Sequence, residues 1–304
     1  MNPNMTVSAL PASHPFTTVR DLLRYAVSRF TAAGLVFGHG SENAYDEAAY
    51  LILHTLHLPL DTLEPFLDAR LLPEEVAAVL QVIERRTVDR VPAAYLTHEA
   101  YMHGMRFYVD ERVIVPRSFI GELLEDGLAP WLPYEDGPTD VLELCTGSGC
   151  LAILAALQWP NATLDAVDLS PDALVVAQRN VDDYHLNDRI RLHEGDLYAP
   201  LPPGVHYDVI LTNPPYVNET SMQALPPEYR AEPRMALAGG TDGMDIVRRI
   251  LADAPRHLKP HGVLVVEIGN ERENVEAAFP DLDLVWLPTS AGEEQVFLVT
   301  REAL

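Results

Sequence analysis

Apolar positions recur at helical spacing in the first third of the chain and give way to short continuous runs in its second half. Val19, Leu22, Leu23, Ala26, Val27 and Phe30 predict one helix, and Ala44, Glu47, Ala48, Leu51, Ile52 and His54 a second. Residues Thr55 to Leu60 end the second helix, and Asp61-Thr62-Leu63-Glu64 reads as a cap before a turn. A third helix opens at Pro73-Glu74-Glu75, with proline and acids in its first turn. It runs through Val76, Val79, Leu80, Val82 and Ile83 to Arg86. Val91-Pro92 breaks this pattern. From Glu99 to Pro116, aromatic and β-branched residues with turn residues predict short strands. A helix is expected from Phe119 to about Leu128, then a polar loop from Pro133 to Asp140.

Beyond Asp140 the rhythm is strand, helix, strand. Strands are predicted at Val141–Cys145, Ala162–Asp168, Ile190–Glu194, Val209–Thr212 and Val263–Ile268. Helices are predicted at Gly149–Leu157, Pro171–Tyr184 and Met244–Leu258. Leu282–Leu287 and Gln295–Thr300 read as two last strands joined by a short turn containing glycine. Alternating β and α implies a doubly wound, mostly parallel sheet. The final pair adds an antiparallel edge. Four segments follow: a polar, disordered tail over 1–16, a helical module over 17–90, a β-hairpin connector over 91–118 and an α/β domain over 119–304.

Composition narrows the class. The 304 residues suffice for one large domain and a small one, and 48% hydrophobic residues is ordinary for a globular chain. No apolar run reaches the roughly 18 residues of a membrane span, and no signal peptide is evident in the first residues. Two cysteines, Cys145 and Cys150, argue against a disulfide framework and fit a reducing cytoplasm. The eleven histidines show no metal-ligand spacing, so no metal is expected. A net charge of −24 disfavours sequence-independent DNA binding, which depends on neutralising phosphates. It suits a basic protein partner, or simply solubility.

Three constellations sit at predicted strand ends. Glu143-Leu144-Cys145-Thr146-Gly147-Ser148-Gly149-Cys150 links the first strand of the sheet to its first helix. Small residues there let a ligand approach the backbone, beside the free N–H groups of a helix start. Asp168 ends the second strand about 20 residues on, where a carboxylate can accept both hydroxyls of a ribose. The competing reading, the N-cap region of the helix at Pro171, is less favoured given the spacing. Asp165, inside the same strand, reads as a surface group. Asp196, in Gly195-Asp196-Leu197 after the third strand, can accept from an exocyclic amine or form an Asx turn. A nicotinamide dehydrogenase would show similar features. However, the loop is not Gly-x-Gly-x-x-Gly, and nothing after it resembles a hydride-transfer site.

The fourth strand decides the class. It runs into Asn213-Pro214-Pro215-Tyr216, where two prolines fix φ and cannot extend a ladder. The result is a rigid turn at the carboxyl edge of the sheet, where ligands of open α/β folds bind. It can hold an amide, backbone carbonyls and an aromatic ring in place around a planar NH2 group.

The combination resembles the class I S-adenosylmethionine-dependent methyltransferases that act on an amide or amine nitrogen. Asn-Pro-Pro-Tyr occurs in DNA adenine methyltransferases and in protein-(glutamine-N5) methyltransferases. The stretches Phe107–Leu123, Leu142–Cys150 and Glu232–Gly243 are similar to the glutamine family. Within it, Pro116-Arg117-Ser118 and the Leu144–Cys150 loop look most like the branch acting on large-subunit ribosomal protein three. The sister branch acts on the Gly-Gly-Gln loop of peptide-chain release factors. Phe119 and Leu197 depart from the family's usual residues.

The resemblance implies a Rossmann-like, mostly parallel seven-stranded sheet with a C-terminal antiparallel hairpin, behind a small helical substrate-recognition domain. It implies S-adenosylmethionine as cofactor, contacted by Glu143, Cys145, Thr146, Gly147, Ser148, Gly149, Asp168, Leu169, Asp196, Leu197 and Asn213. Substrate contacts are expected at Asn213, Pro214, Pro215 and Tyr216, with Asn213, Pro214 and Tyr216 carrying the transfer. No general base is expected, since an amide N–H is far too weak an acid for a side-chain base. The partner implied is large-subunit ribosomal protein three, free or in an assembling ribosome, with neither membrane nor sequence-specific DNA contact. Arg117, Glu232 with Arg234, and Glu267 each read equally as site residues or plain ion-pair and edge groups.

Overall fold

The computed structural model describes residues 15–38, 40–132 and 136–304, and divides the chain into two compact units, Met1–Thr97 and His98–Leu304. Most of the expected tail, and Pro133 to Glu135 of the expected polar loop, lie outside the described residues.

The first unit is helical: α1 (Val19–Ala32), α2 (Ala44–Thr55), α3 (Pro73–Thr87) and α4 (Ala93–Thr97). Thr18 and Asp21 form a capping box on α1, and the Asn43 side chain accepts from the N–H groups of Tyr45 and Asp46 at the start of α2. Pro73 opens α3, where the Glu75 carboxylate accepts the Leu72 N–H at 2.8 Å. The apolar stripes predicted from spacing meet in one core, with Leu22, Ala26 and Phe30 against Leu51, Ile52, Val79 and Ile83. Within it the Arg86 Nε donates to Glu47 at 2.6 Å, both side chains buried. α4 falls where the sequence predicts the start of a connector. The hairpin proper is shorter and belongs to the second unit: β1 (Glu99–Met102) and β2 (Met105–Tyr108).

The second unit continues with α5 (Ile120–Glu125), β3 (Asp140–Leu144), α6 (Cys150–Gln158), β4 (Thr163–Asp168), α7 (Pro171–Asp183), β5 (Ile190–Glu194) and β6 (Tyr207–Thr212). After these come α8 (Glu219–Ala224), α9 (Asp245–Asp253), β7 (Leu258–Glu267), α10 (Arg272–Ala278), β8 (Val285–Thr289) and β9 (Gly292–Thr300). Seven strands form one sheet in the order β5-β4-β3-β6-β7-β9-β8. Pairings from β5 through β7 are parallel, while β9 is antiparallel to both β7 and β8.

Both faces of the sheet are covered. Val141, Ala166, Val209, Leu211 and Val265 pack with α5 and α6; Leu142, Leu144, Ile210, Leu264 and Val266 pack with α9 and α10. This is why β6 and β7 read as unbroken apolar runs. The order reverses at β3, which is flanked by β4 on one side and β6 on the other, and ligand crevices form at such switch points.

Four elements and one residue differ from expectation. The helix predicted over Met244–Leu258 stops at Asp253, because Pro255 cannot continue it, and β7 begins five residues before the predicted Val263. α8 and α10 are short and lack a clear apolar period. Asp165 is buried rather than exposed, accepting from His193 at 2.7 Å and from the Tyr207 hydroxyl at 3.0 Å.

Candidate active site

The ends of β3, β4, β5 and β6 open into one cavity. Cys145 and Gly147 line it from the loop after β3, Asp168 and Leu169 from β4, Asp196 and Leu197 from β5, and Asn213 and Pro215 from β6. The sequence placed a ligand at each of these strand ends, and the fold brings them together.

Asp168 is held by its own loops. The Gly147 N–H donates to one carboxylate oxygen at 2.8 Å and the Ser170 N–H to the other at 2.9 Å. Burial raises its pKa, against the pull of these backbone donors. Gly147 has φ +55°, and a Cβ built there would meet nothing within 4 Å, so the backbone stays open to a ligand on the cavity side. Asp196 shares one oxygen with Arg249, whose Nη2 donates at 2.6 Å, and keeps the other. A ribose diol at Asp168, an amine at Asp196 and a close-approaching chain at Gly147 are what the nucleoside and amino-acid parts of S-adenosylmethionine require, and the residues present fit that group.

Glu143, Thr146, Ser148 and Gly149 do not line this cavity. Glu143 points into the fold, accepting from the Thr146 hydroxyl and from the Ala152 N–H at 3.0 Å. Burial pushes its carboxyl up to about 8. These residues shape the loop from behind. The Ser148 carbonyl accepts from Asn180 on α7 at 2.8 Å, and the same Asn180 side chain pairs with both backbone groups of Tyr108 at the end of the hairpin. Cys145 and Cys150 are small apolar fillers, and burial pushes the Cys150 thiol up to about 12.

A second, smaller cavity adjoins the first. Ile114, Arg117, Asn213, Pro214, Tyr216 and Ala236 line it, and Asn213, Ile114 and Ala236 face both. The Asn213–Tyr216 turn is fastened from two sides. The Thr212 hydroxyl donates to the Leu144 carbonyl at 3.0 Å. Beyond the turn, the Val217 N–H donates to the Leu237 carbonyl at 2.8 Å and the Gly239 N–H returns to the Val217 carbonyl at 2.9 Å. The Glu232–Gly243 stretch thus runs beside the turn. Arg117 makes a bidentate pair with Glu232 at 2.5 and 2.8 Å, and its guanidinium lies 5.3 Å from the Tyr229 ring centre. Burial opposes the Arg117 charge, but Glu232 more than restores it. Glu232 therefore pairs with Arg117 rather than with Arg234.

Sequence reasoning missed part of the lining. Arg112, Val113 and Ile114 precede the predicted Pro116-Arg117-Ser118 segment, and Pro233, Met235, Ala236 and Ile246 come from the far side. The two stretches already singled out for resemblance, Phe107–Leu123 and Glu232–Gly243, hinted at all of them but Ile246.

A family model, the methyltransferase small domain, matches residues 128–225. A ribosomal protein uL3 glutamine methyltransferase of Burkholderia pseudomallei is 71% identical over 95% of this chain and 96% of its own. The protein of the same name from Bordetella pertussis is 62% identical over 94% of this chain and 96% of its own. The chain belongs to the ribosomal protein uL3 glutamine methyltransferase family. In this uL3 glutamine methyltransferase family member, the Asn213–Tyr216 turn stands where the two cavities meet. A protein of that name from Neisseria meningitidis serogroup B matches at 58% identity over 96% of both chains.

Proposed function

We propose that the protein transfers a methyl group from S-adenosylmethionine to the N5 amide nitrogen of a glutamine in ribosomal protein uL3. The observation that carries this reading is Asn213, which lines both cavities and so stands between a methyl donor and an amide acceptor. When bound, S-adenosylmethionine supplies an electrophilic methyl on a sulfonium, and that chemistry belongs to the cofactor.

The chain's own part is orientation. The Asp168 carboxylate keeps lone pairs for the ribose hydroxyls, because Gly147 and Ser170 fix its direction. The free oxygen of Asp196 accepts the exocyclic amine, and Leu169 and Leu197 give the nucleoside apolar contact. In the second cavity, the Asn213 side-chain carbonyl and the Pro214 backbone carbonyl each accept one N–H of the glutamine amide. The Tyr216 ring packs against the amide plane. An amide nitrogen is a poor nucleophile, and holding it in line is worth up to ~7–11 kcal/mol. The same carbonyl dipoles favour the positive charge that develops on nitrogen. No side chain needs to remove a proton before transfer: the N–methyl bond forms as the methyl–sulfur bond breaks, and the nitrogen then gives its extra proton to water.

The helical unit recognises the protein acceptor. A net charge of −24 favours encounter with a basic partner, as a protein that packs against RNA must be. Among the described residues no helix is long and apolar enough to cross a membrane; a ribosomal acceptor supports a reaction in the cytoplasm.

The test is incubation with methyl-labelled S-adenosylmethionine and separated uL3, release factors and DNA. Label on one uL3 glutamine is the expected result. Label confined to a release factor or to adenine in DNA overturns the reading.

A further inference from the structure

Glu267 ends β7, the strand beside β6, one residue past the Val266 that pairs with Thr212. Its carboxylate thus lies next to the Asn213 turn, yet it lines neither cavity and is 2% exposed. The proposed mechanism gives it no role. Its partners lie far away in sequence: the Ser118 hydroxyl donates to it at 2.5 Å and the Phe119 N–H at 2.9 Å. Ser118 in turn accepts the Ile120 N–H at 3.2 Å, at the start of α5.

The segment that Glu267 holds is the one that enters the second cavity. Arg117 is bonded to Glu232 by both terminal guanidinium nitrogens, and the Val115 N–H donates to the same carboxylate at 3.0 Å. Residues 115–119 are therefore strung between two buried carboxylates, Glu232 on the stretch beside the turn and Glu267 on the sheet. Ile114 and Arg117 are delivered to the cavity wall by this crossbar. The same end of β7 also seats the tyrosine. A Cβ on Gly269 would come within 2.7 Å of the Tyr216 ring, so the ring occupies the place a side chain there would take.

We propose that Glu267, acting through Ser118, is a positioning residue for methyl transfer: it locks the Val115–Phe119 crossbar against the sheet so that the amide cavity keeps its shape. The inference rests on the glutamine-methylating reading of that cavity. Charge is not what the role needs; two well-placed acceptor lone pairs are. A glutamine at position 267 can still accept from Ser118 and Phe119 through its carbonyl oxygen, whereas an alanine cannot. Of the residues this segment delivers, only Ile114 also faces the cofactor cavity, so cofactor affinity should change far less than kcat.

Ser118→Ala, Glu267→Ala and Glu267→Gln separate these roles in the full-length protein. kcat and KM for the methylated acceptor, and the dissociation constant of S-adenosylmethionine, are measured for each. Ser118→Ala and Glu267→Ala are expected to lower kcat about 10- to 100-fold, the scale of a small misplacement of reacting groups. Cofactor affinity should stay within about twofold, and Glu267→Gln should recover most of kcat. Should Glu267→Ala fail to fold, Ser118→Ala, which removes only one hydroxyl, carries the same comparison. Unchanged kcat in Ser118→Ala overturns the proposal, as does equal loss of cofactor affinity and kcat. If the wild-type protein labels an acceptor other than uL3, the proposed substrate falls, but the same kcat comparison on that acceptor still decides the role of Glu267.

Discussion

The Gly147 N–H and the Asp168 carboxylate, 21 residues apart, are joined by a hydrogen bond of 2.8 Å. It ties the loop after β3 to the end of β4 and aims the carboxylate across the cavity. Asp168→Ala removes that acceptor and releases the loop. A hydrogen bond to a charged group is worth ~1.5–3 kcal/mol, so affinity for S-adenosylmethionine should fall about 10- to 100-fold by calorimetry. Asp168→Asn, which keeps one acceptor oxygen, should lose less. Unaltered affinity in Asp168→Ala would place the cofactor elsewhere.

In the proposed mechanism Asn213 serves the acceptor more than the donor. Asn213→Ala should lower single-turnover methylation more than about 100-fold while cofactor affinity stays near normal. The opposite outcome, weak cofactor binding with turnover retained, would reassign the residue to the donor site.

The buried Asn180 side chain makes three hydrogen bonds, one from the Tyr108 N–H at 2.8 Å and two to the carbonyls of Tyr108 and Ser148 at 3.0 and 2.8 Å. Asn180→Ala strands these backbone groups, each costing ~1–3 kcal/mol when left unsatisfied. The urea midpoint should fall, and the Tyr108 amide should exchange faster with solvent. Parent-like stability and protection would mean that water or a local shift replaces the side chain.

Glu143 makes stability depend on pH. Burial lifts its carboxyl from the ordinary 4.5 to about 8. Between those values the folded protein keeps a proton that the unfolded chain has released. This group's contribution is therefore full below about pH 4.5 and is lost as pH rises through about 8. Glu267, pushed up to about 7 by burial, acts in the same direction. Comparison with Glu143→Gln isolates the first group: the stability of the parent relative to the variant should decline from near pH 5 to near pH 8. A constant difference across that range would show that Glu143 is ionised throughout.

In the helical unit, the buried Arg86–Glu47 pair predicts a large asymmetry. Arg86→Met removes the guanidinium that Glu47 accepts from in a buried site, a loss of ~3–5 kcal/mol. Replacing both partners by apolar residues of similar volume should cost much less. Equal losses in single and double variants, by denaturant unfolding, would contradict this.

Much of this was legible in the chain. Period and punctuation marked α1 to α3, the alternation of strands and helices, and the four strand ends where ligand groups gather. Asn213-Pro214-Pro215-Tyr216 was legible because two prolines after an apolar run permit little but a rigid edge turn. Glu143 shows where that reading stops. It lies in the loop motif by position, but its side chain points inward to Thr146 and Ala152. In a parallel strand buried on both faces, the apolar pattern does not say which way a given residue points.

By itself, then, the sequence determined most of the local elements, the class of fold and the rigid turn at Asn213–Tyr216, since each depends on neighbours along the chain. The tertiary structure alone decided that Arg112–Ile114, Pro233, Met235 and Ala236 wall the larger cavity, and that Ser118 meets Glu267 across 149 residues. Such pairings come from strand order and loop closure, for which no local spacing carries a signal. A hydrogen bond between distant residues exists only once the sheet has brought its two ends together.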